Sequence, residues 1–265
     1  MKITHDFHIH TNLSSCANET ATVAYYIDVA KRLGLRKLGF TDHFWDERIS
    51  GANEFYAQQN LAHIQQLMPQ LEEVKEPGLQ LYFGAEAEYD PVRRDVAITE
   101  ETAEKLDFLI VATSHTHMMM PKSYFLDQNK IIGFLVQAYE DVISSVLSQY
   151  ITAMAHPFEP LGCPEGWQPI MRAVPEDSYL RLFDKTAEKG IAVEINTSCF
   201  QKGTDTIDEQ GVKMRMLKIA KESGCKFIFG SDSHDNKKHE VYNQNNARIV
   251  DYLGLKESDI GRIAI

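Results

Sequence analysis

The run Asp6-Phe7-His8-Ile9-His10 carries two histidines two residues apart. On a β-strand that spacing sends both imidazoles to the same face. Two neighbouring imidazoles on a rigid element make half of a divalent metal site. Taken alone, the pair is equally compatible with two polar residues on an edge strand. The same grammar recurs downstream, however, wherever an apolar run ends in His, Asp or Glu. Thr41-Asp42-His43 follows residues 35–40, and Glu86 and Glu88 follow residues 79–83. Ser114-His115-Thr116-His117 follows residues 108–112, and His156 follows residues 151–155. Asn196 ends the run 191–195, and Asp232-Ser233-His234 follows residues 226–229.

Of ten histidines, six (His8, His10, His43, His115, His156 and His234) lie just past such runs. Packing and solubility give no reason for that placement. His63, in a helical pattern, and His239, after two lysines, read as ordinary surface residues. Imidazole mixed with carboxylate suits Zn, Mn or Fe. The ligands outnumber those of one tetrahedral ion, and a carboxylate can bridge two cations.

These residues need an architecture that brings strand ends together. Helical patterns occupy residues 20–33, 54–74, 131–147, 178–189, 212–222 and 245–253, with a short capped helix from Thr99. Pro69 should kink or split the second of these. Residues 158–177 contain four prolines and two glycines and read as mostly loop. Seven β-rich runs alternating with helices imply a parallel sheet covered on both faces. In an open sheet the polar strand ends would spread along an edge. Only a barrel gathers them at one mouth, so the expected fold is α/β, a distorted (β/α)7 barrel, as one domain over residues 1–265.

The 43% hydrophobic content supports a substantial core. No apolar run approaches the ~18 residues of a membrane span, and residues 1–6 lack the apolar core of a signal peptide. Cys16, Cys163, Cys199 and Cys225 form no Cys-x-x-Cys pair, which fits a reducing cytoplasm. A net charge of −11 disfavours nucleic acid as a partner.

His8-Ile9-His10, Thr41-Asp42-His43, Gly84-Ala85-Glu86, His115, Ala155-His156-Pro157, Glu194-Ile195-Asn196 and Gly230-Ser231-Asp232-Ser233-His234 resemble, in order, the motifs of the PHP (polymerase and histidinol phosphatase) family. The resemblance runs from residue 6 to residue 234. It implies a two- or three-metal centre that hydrolyses phosphoesters through a metal-bridged hydroxide. It also implies the ligand sets. One metal would take His8, His10, Glu86 and Asp232. A second would share Glu86 and add His115 and His156, with His117 as the alternative register for His115. A third would take His43 and His234. Cys16 stands where the family has a further His or Asp, and as a thiolate it would favour Zn.

Glu86, Asp232, His43 and His234 would then be the groups closest to the chemistry, with Glu194 and Asn196 as supports. Arg93, Arg94, Lys122, Arg172 and Lys202, in loops after strand ends, are candidates to grip phosphate. The expected substrate is a small phosphomonoester, histidinol phosphate among them. A phosphodiesterase or nuclease, or a non-catalytic phosphometabolite-binding module, are the competing functions.

Overall fold

The structure is a computed structural model describing residues 1–201, 203–235, 239 and 241–263. Seven strands form its centre: β1 (His5–Ile9), β2 (Lys37–Phe40), β3 (Gln80–Asp90), β4 (Phe108–Ala112), β5 (Ala153–Ala155), β6 (Ala192–Asn196) and β7 (Lys226–Gly230). Each is parallel to the next in chain order. A parallel bridge between Ile9 and Ser233 brings the last strand back to the first. Its bonds run from His10 N–H to Ser233 O (3.0 Å) and from Asp232 N–H to His8 O (2.9 Å). The sheet is thus a nearly closed barrel, as the clustering of polar strand ends required.

Five longer helices pack around it: α1 (Val23–Leu33), α2 (Gln128–Ser144), α3 (Glu176–Glu188), α4 (Val212–Glu222) and α5 (Tyr242–Leu253). Local chemistry sets the limits of α1. The Thr22 side chain accepts from Tyr25 N–H, and Gly34 ends the helix in the left-handed conformation.

Three expectations change. His239, read as a surface residue, is 3% exposed and pairs with Asp6 Oδ2 at 3.0 Å, because the chain after the last strand folds back against β1. Residues 54–74 are a series of short turns and helices, broken just before Pro69 as a proline there should do, and the pattern before it is shorter than expected. Asn60 caps Leu61–Ile64, and Pro69 lies in the first turn of Met68–Glu73, where its missing N–H costs nothing. The stretch 158–177 is also less irregular than its composition suggests, because Gln168–Ala173 is helical, again with proline at its start.

Alternation along the strands separates two interiors. Leu109 and Val111 of β4 face the helices, while Phe108, Ile110 and Ala112 join Phe7, Tyr82, Ala153, Ala155, Ala192 and Ile228 in a separate apolar cluster. Phe108 occupies the space beside Gly84, where an added Cβ would come within 2.4 Å of its ring. β1 shifts register against β2 between Asp6 and Ile9. Such a bulge re-aims side chains, and here Phe7 joins the apolar cluster while the next residue, His8, enters the polar site.

Candidate metal centre

Above the apolar cluster the strand ends hold a buried nest of imidazoles and carboxylates. His8, His10, His43, Glu86, His115 and His156 are each under 8% exposed, too dry for polar groups without strong partners. Four overlapping groups offer ligand atoms within 4.8 Å of one another. They are His8, His10 and Asp232; His8, Glu86 and His156; His43, Glu86 and His115; and His10, His43 and His234. Every strand-end histidine singled out from the sequence is present, together with Glu86 and Asp232.

Glu86 lies at the middle. Its Oε1 is 2.8 Å from His156 Nε2 and 3.9 Å from His115 Nε2. Its Oε2 is 2.9 Å from His43 Nδ1, 3.4 Å from His10 Nε2 and 3.6 Å from His8 Nε2. Asp232 Oδ1 is 3.5 Å from His10 Nε2 and 3.7 Å from His8 Nε2. Despite this crowding, Glu86 Oε2 and His43 Nδ1 make no hydrogen bond of acceptable geometry. Buried polar atoms that converge without bonding are what a cation would satisfy, so the residues present fit divalent metal.

Other side chains fix the orientation of the imidazoles. The Glu194 carboxylate accepts from His156 N–H (2.6 Å) and pairs with His8 Nδ1 (2.7 Å), tying β1 and β5 together. Glu88 pairs with His115 Nδ1 at 2.7 Å and accepts from the Tyr56 hydroxyl. Ser114 Oγ is 2.6 Å from His156 Nδ1. Each leaves the opposite ring nitrogen to face the centre, the usual arrangement behind a metal-binding histidine. Asp42 accepts from Thr11 N–H and from the Thr11 and Ser14 hydroxyls, which holds the loop after β1 over the site. His156 (φ 26°) and Asp232 (φ 51°) adopt the left-handed region that non-glycine residues avoid. Gly230 is required nearby, since a Cβ there would lie 2.1 Å from Glu194 Oε1 and 2.5 Å from His8 Cβ.

The electrostatics of the metal-free protein follow from this crowding. Burial opposes charge on His8, but the carboxylates of Glu194, Glu86 and Asp232 outweigh it and hold the pKa well above the usual histidine value. For His115, burial is likewise outweighed by Glu88 and Glu86, giving a pKa of about 9. His10 shows the reverse: burial and the neighbouring His234 and His43 push it well down. Burial also opposes charge on Glu86, but His8, His115 and His43 hold its carboxyl well below the usual range.

Cys16 is exposed and lines the cavity over this nest, and the four groups form without it. Desolvation, then Glu86 and Asp232, push its thiol up to about 12, so without a cation it stays protonated. His117 lines the cavity as well, while His115 is the one that reaches Glu86.

The expected phosphate-gripping bases are elsewhere. The Arg94 guanidinium is held by Asp141 at 2.7 and 2.9 Å on the outer side. Arg93, Lys122 and Arg172 are exposed, and none of the four lines the cavity. Arg172 lies in the helix Gln168–Ala173 and Lys122 begins the short helical turn Lys122–Leu126. Lys202 falls outside the described residues. The cavity measures about 530 Å³, and its wall beyond the histidines includes Phe55, Tyr56, Met118, Leu161, Trp167 and Glu159. The sequence analysis assigned no role to Glu88 and did not single out Tyr56 or Glu159. Glu88 had a local signal, two residues beyond Glu86 on one strand face, whereas the other two come from loops and short turns.

The PHP domain family model matches residues 6–198. A probable phosphatase of Aeromonas hydrophila is 26% identical over 234 residues, covering 88% of this chain and 79% of that protein. A probable phosphatase of Acetivibrio thermocellus is 27% identical over 236 residues, covering 88% and 80%. Among solved structures, histidinol phosphate phosphatase from Lactococcus lactis, complexed with zinc, L-histidinol and phosphate, superposes with a TM-score of 0.68. It shares 16% identity, and the match covers 98% of each chain.

Proposed function

The chain belongs to the PHP family, and from that premise we propose that it is a metal-dependent phosphatase whose substrate is a small phosphomonoester. The observation that carries this reading is the double-faced Glu86 carboxylate. One oxygen addresses His115 and His156, and the other addresses His8, His10 and His43. A carboxylate so placed suits a bridge between two cations. His8, His10, Glu86 and Asp232 would hold one, and Glu86, His115 and His156 another. His43 and His234, with Cys16 at the rim, would hold a third. Zn, Mn and Fe all accept this donor set, and the thiol of Cys16 would bias the third position toward Zn.

When bound, such cations supply charge neutralisation for the phosphoryl oxygens and a nucleophile available at neutral pH. The protein's own share is orientation and exclusion of water. Glu194, Glu88 and Ser114 lock the imidazole rings, so no rotamer search precedes substrate binding. Phe55, Met118, Leu161 and Trp167 give the alcohol portion an apolar wall, lowering the local dielectric around the phosphoryl group. His43 and His234, which line the cavity, would manage the leaving oxygen.

Histidinol phosphate is the first substrate to try, since the similar Lactococcus lactis structure holds L-histidinol and phosphate. Among the described residues no Lys or Arg lines the cavity, which disfavours a polyanionic nucleic acid. The test is metal analysis of the purified protein followed by turnover of p-nitrophenyl phosphate against bis-p-nitrophenyl phosphate. Preference for the monoester supports the proposal. Preference for the diester indicates a phosphodiesterase, and inertness toward both after metal loading indicates a binding module.

A further inference from the structure

Three imidazoles of the nest are backed by single groups, His8 by Glu194, His115 by Glu88 and His156 by Ser114. His10 is backed by a chain of two. Its Nδ1 lies 3.1 Å from Ser14 Oγ, in the loop after β1, and Ser14 Oγ donates to Asp42 Oδ1 at 2.7 Å. All three side chains are at most 1% exposed, so bulk water does not compete for these contacts.

Hydrogen-bond valence fixes the direction of the chain. A serine hydroxyl has one proton and two lone pairs. The proton goes to the Asp42 carboxylate. One lone pair takes the His43 N–H, which is 3.2 Å away and can only donate. The other is left for His10 Nδ1, which must therefore carry a proton. Asp42 also accepts from the Thr11 N–H (2.6 Å) and the Thr11 hydroxyl (2.7 Å), so every partner points a proton at it. Burial raises its pKa from the ordinary carboxylate value, and these same bonds oppose the rise. With the proton on Nδ1, His10 Nε2 presents a lone pair to the nest. It meets His8 Nε2 at 3.0 Å, and the Nδ1 of that ring is already committed to Glu194. Two lone pairs turned to one point call for a cation between them.

We propose that Asp42, acting through Ser14, is a positioning residue that fixes the tautomer of His10 and so keeps Nε2 open to divalent metal. This rests on the metal-dependent reading above. The Thr11 bonds hold the loop, whereas the Ser14 bond alone transmits the polarity of Asp42 to the imidazole.

The test uses the full chain, zinc and isotope-labelled histidine. In Asp42→Asn the amide can turn its NH2 toward Ser14. The serine hydroxyl then points at His10 Nδ1, and the imidazole proton moves to Nε2, where it blocks the cation. Zinc affinity at one position should fall roughly 10- to 100-fold, read by competition with a chromophoric chelator. Ser14→Ala keeps the Asp42 charge and both Thr11 bonds. It should weaken the same position, and it covers the case in which the Asn variant does not fold. Thr11→Val removes one loop bond and leaves the chain to His10 intact, so its zinc affinity should match the parent's. Nitrogen NMR of the zinc-loaded parent should place the His10 proton on Nδ1 and the metal on Nε2. Zinc bound through Nδ1 instead, or unchanged zinc affinity in either folded variant of the chain, overturns the inference and leaves the metal centre standing. An equal loss in Thr11→Val reduces the network to a loop anchor and also overturns it. A parent that takes up no zinc removes the metal reading and this inference with it.

Discussion

The lower and upper halves of the barrel interior are built from the same strands and differ in almost every physical respect. On the inward face of β3, Tyr82 packs edge-on to Phe7 and Gly84 meets the Phe108 ring, whereas Glu86 and Glu88, two and four residues beyond Gly84, meet imidazoles. Below, burial is favourable in itself, at about 25 cal/mol per Å². Above, burial of the same completeness is costly for every side chain and is offset only by mutual pairing and by whatever cation is bound. The lower half therefore serves as the foundation and the upper half as the load placed on it.

Substitutions can test this division, and the largest expected effect is at the centre of the nest. Glu86→Ala should lower kcat by more than ~10²-fold and reduce bound metal, because both faces of the proposed bridge are lost. Its Tm, measured in chelator, should stay near that of the parent. A purified variant with parental turnover and metal content would show that Glu86 is not the bridge. Phe108→Ala should do the opposite. It should cost ~3–5 kcal/mol of stability, read by denaturant unfolding, while the fraction that remains folded keeps its full complement of metal. Loss of metal from that folded fraction would mean the two halves are not separable.

Smaller effects should come from the groups behind the ligands. Glu88→Gln and Glu194→Gln should each weaken metal affinity by roughly 10- to 100-fold. Competition with a chromophoric chelator measures this, and unchanged affinity would reduce both carboxylates to packing. Cys16→Ser should remove at most one ion per chain and spare the other two, and Cys16→Asp should keep three and tolerate Mn better. Metal analysis after matched dialysis decides. If the Ser variant binds the same ions with the same activity, the third position rests on histidine alone. The smallest effect belongs to Arg94→Ala. Its guanidinium is committed to Asp141, away from the cavity, so kcat/KM should change less than about twofold.

The upper half was far more legible in the sequence than its supports. His8, His10, His43, His115, His156, Asp232 and His234 announce themselves because parallel strands end where polar residues begin, and that boundary is local information. The barrel then follows from the need to gather them. Lys213 was illegible, since a lysine in an amphipathic helix ordinarily faces water and only tertiary packing buries this one. The bulge that turns Phe7 and His8 to their separate tasks has no sequence mark, because it is defined by the neighbouring strand. The helix Gln168–Ala173 was hidden for a related reason. Proline reads as a breaker, yet it is tolerated in a first turn, and which applies depends on where the helix begins. The arginines were misplaced because a side chain's charge carries no information about the direction in which tertiary packing turns its segment.

The closure of the barrel by its first and last strands also bears on how the protein comes to be made. His5 and Phe229 are hydrogen-bonded across 224 residues, and the Asp232 that faces His8 and His10 lies just beyond. During synthesis at ~5–20 residues per second, the two leading histidines wait for roughly 10–45 s before their carboxylate partner exists. Throughout that interval the nascent chain carries ligands without a site, open to any soft cation in its surroundings. On the proposed assignment the first metal position is therefore completed late, by an almost complete barrel.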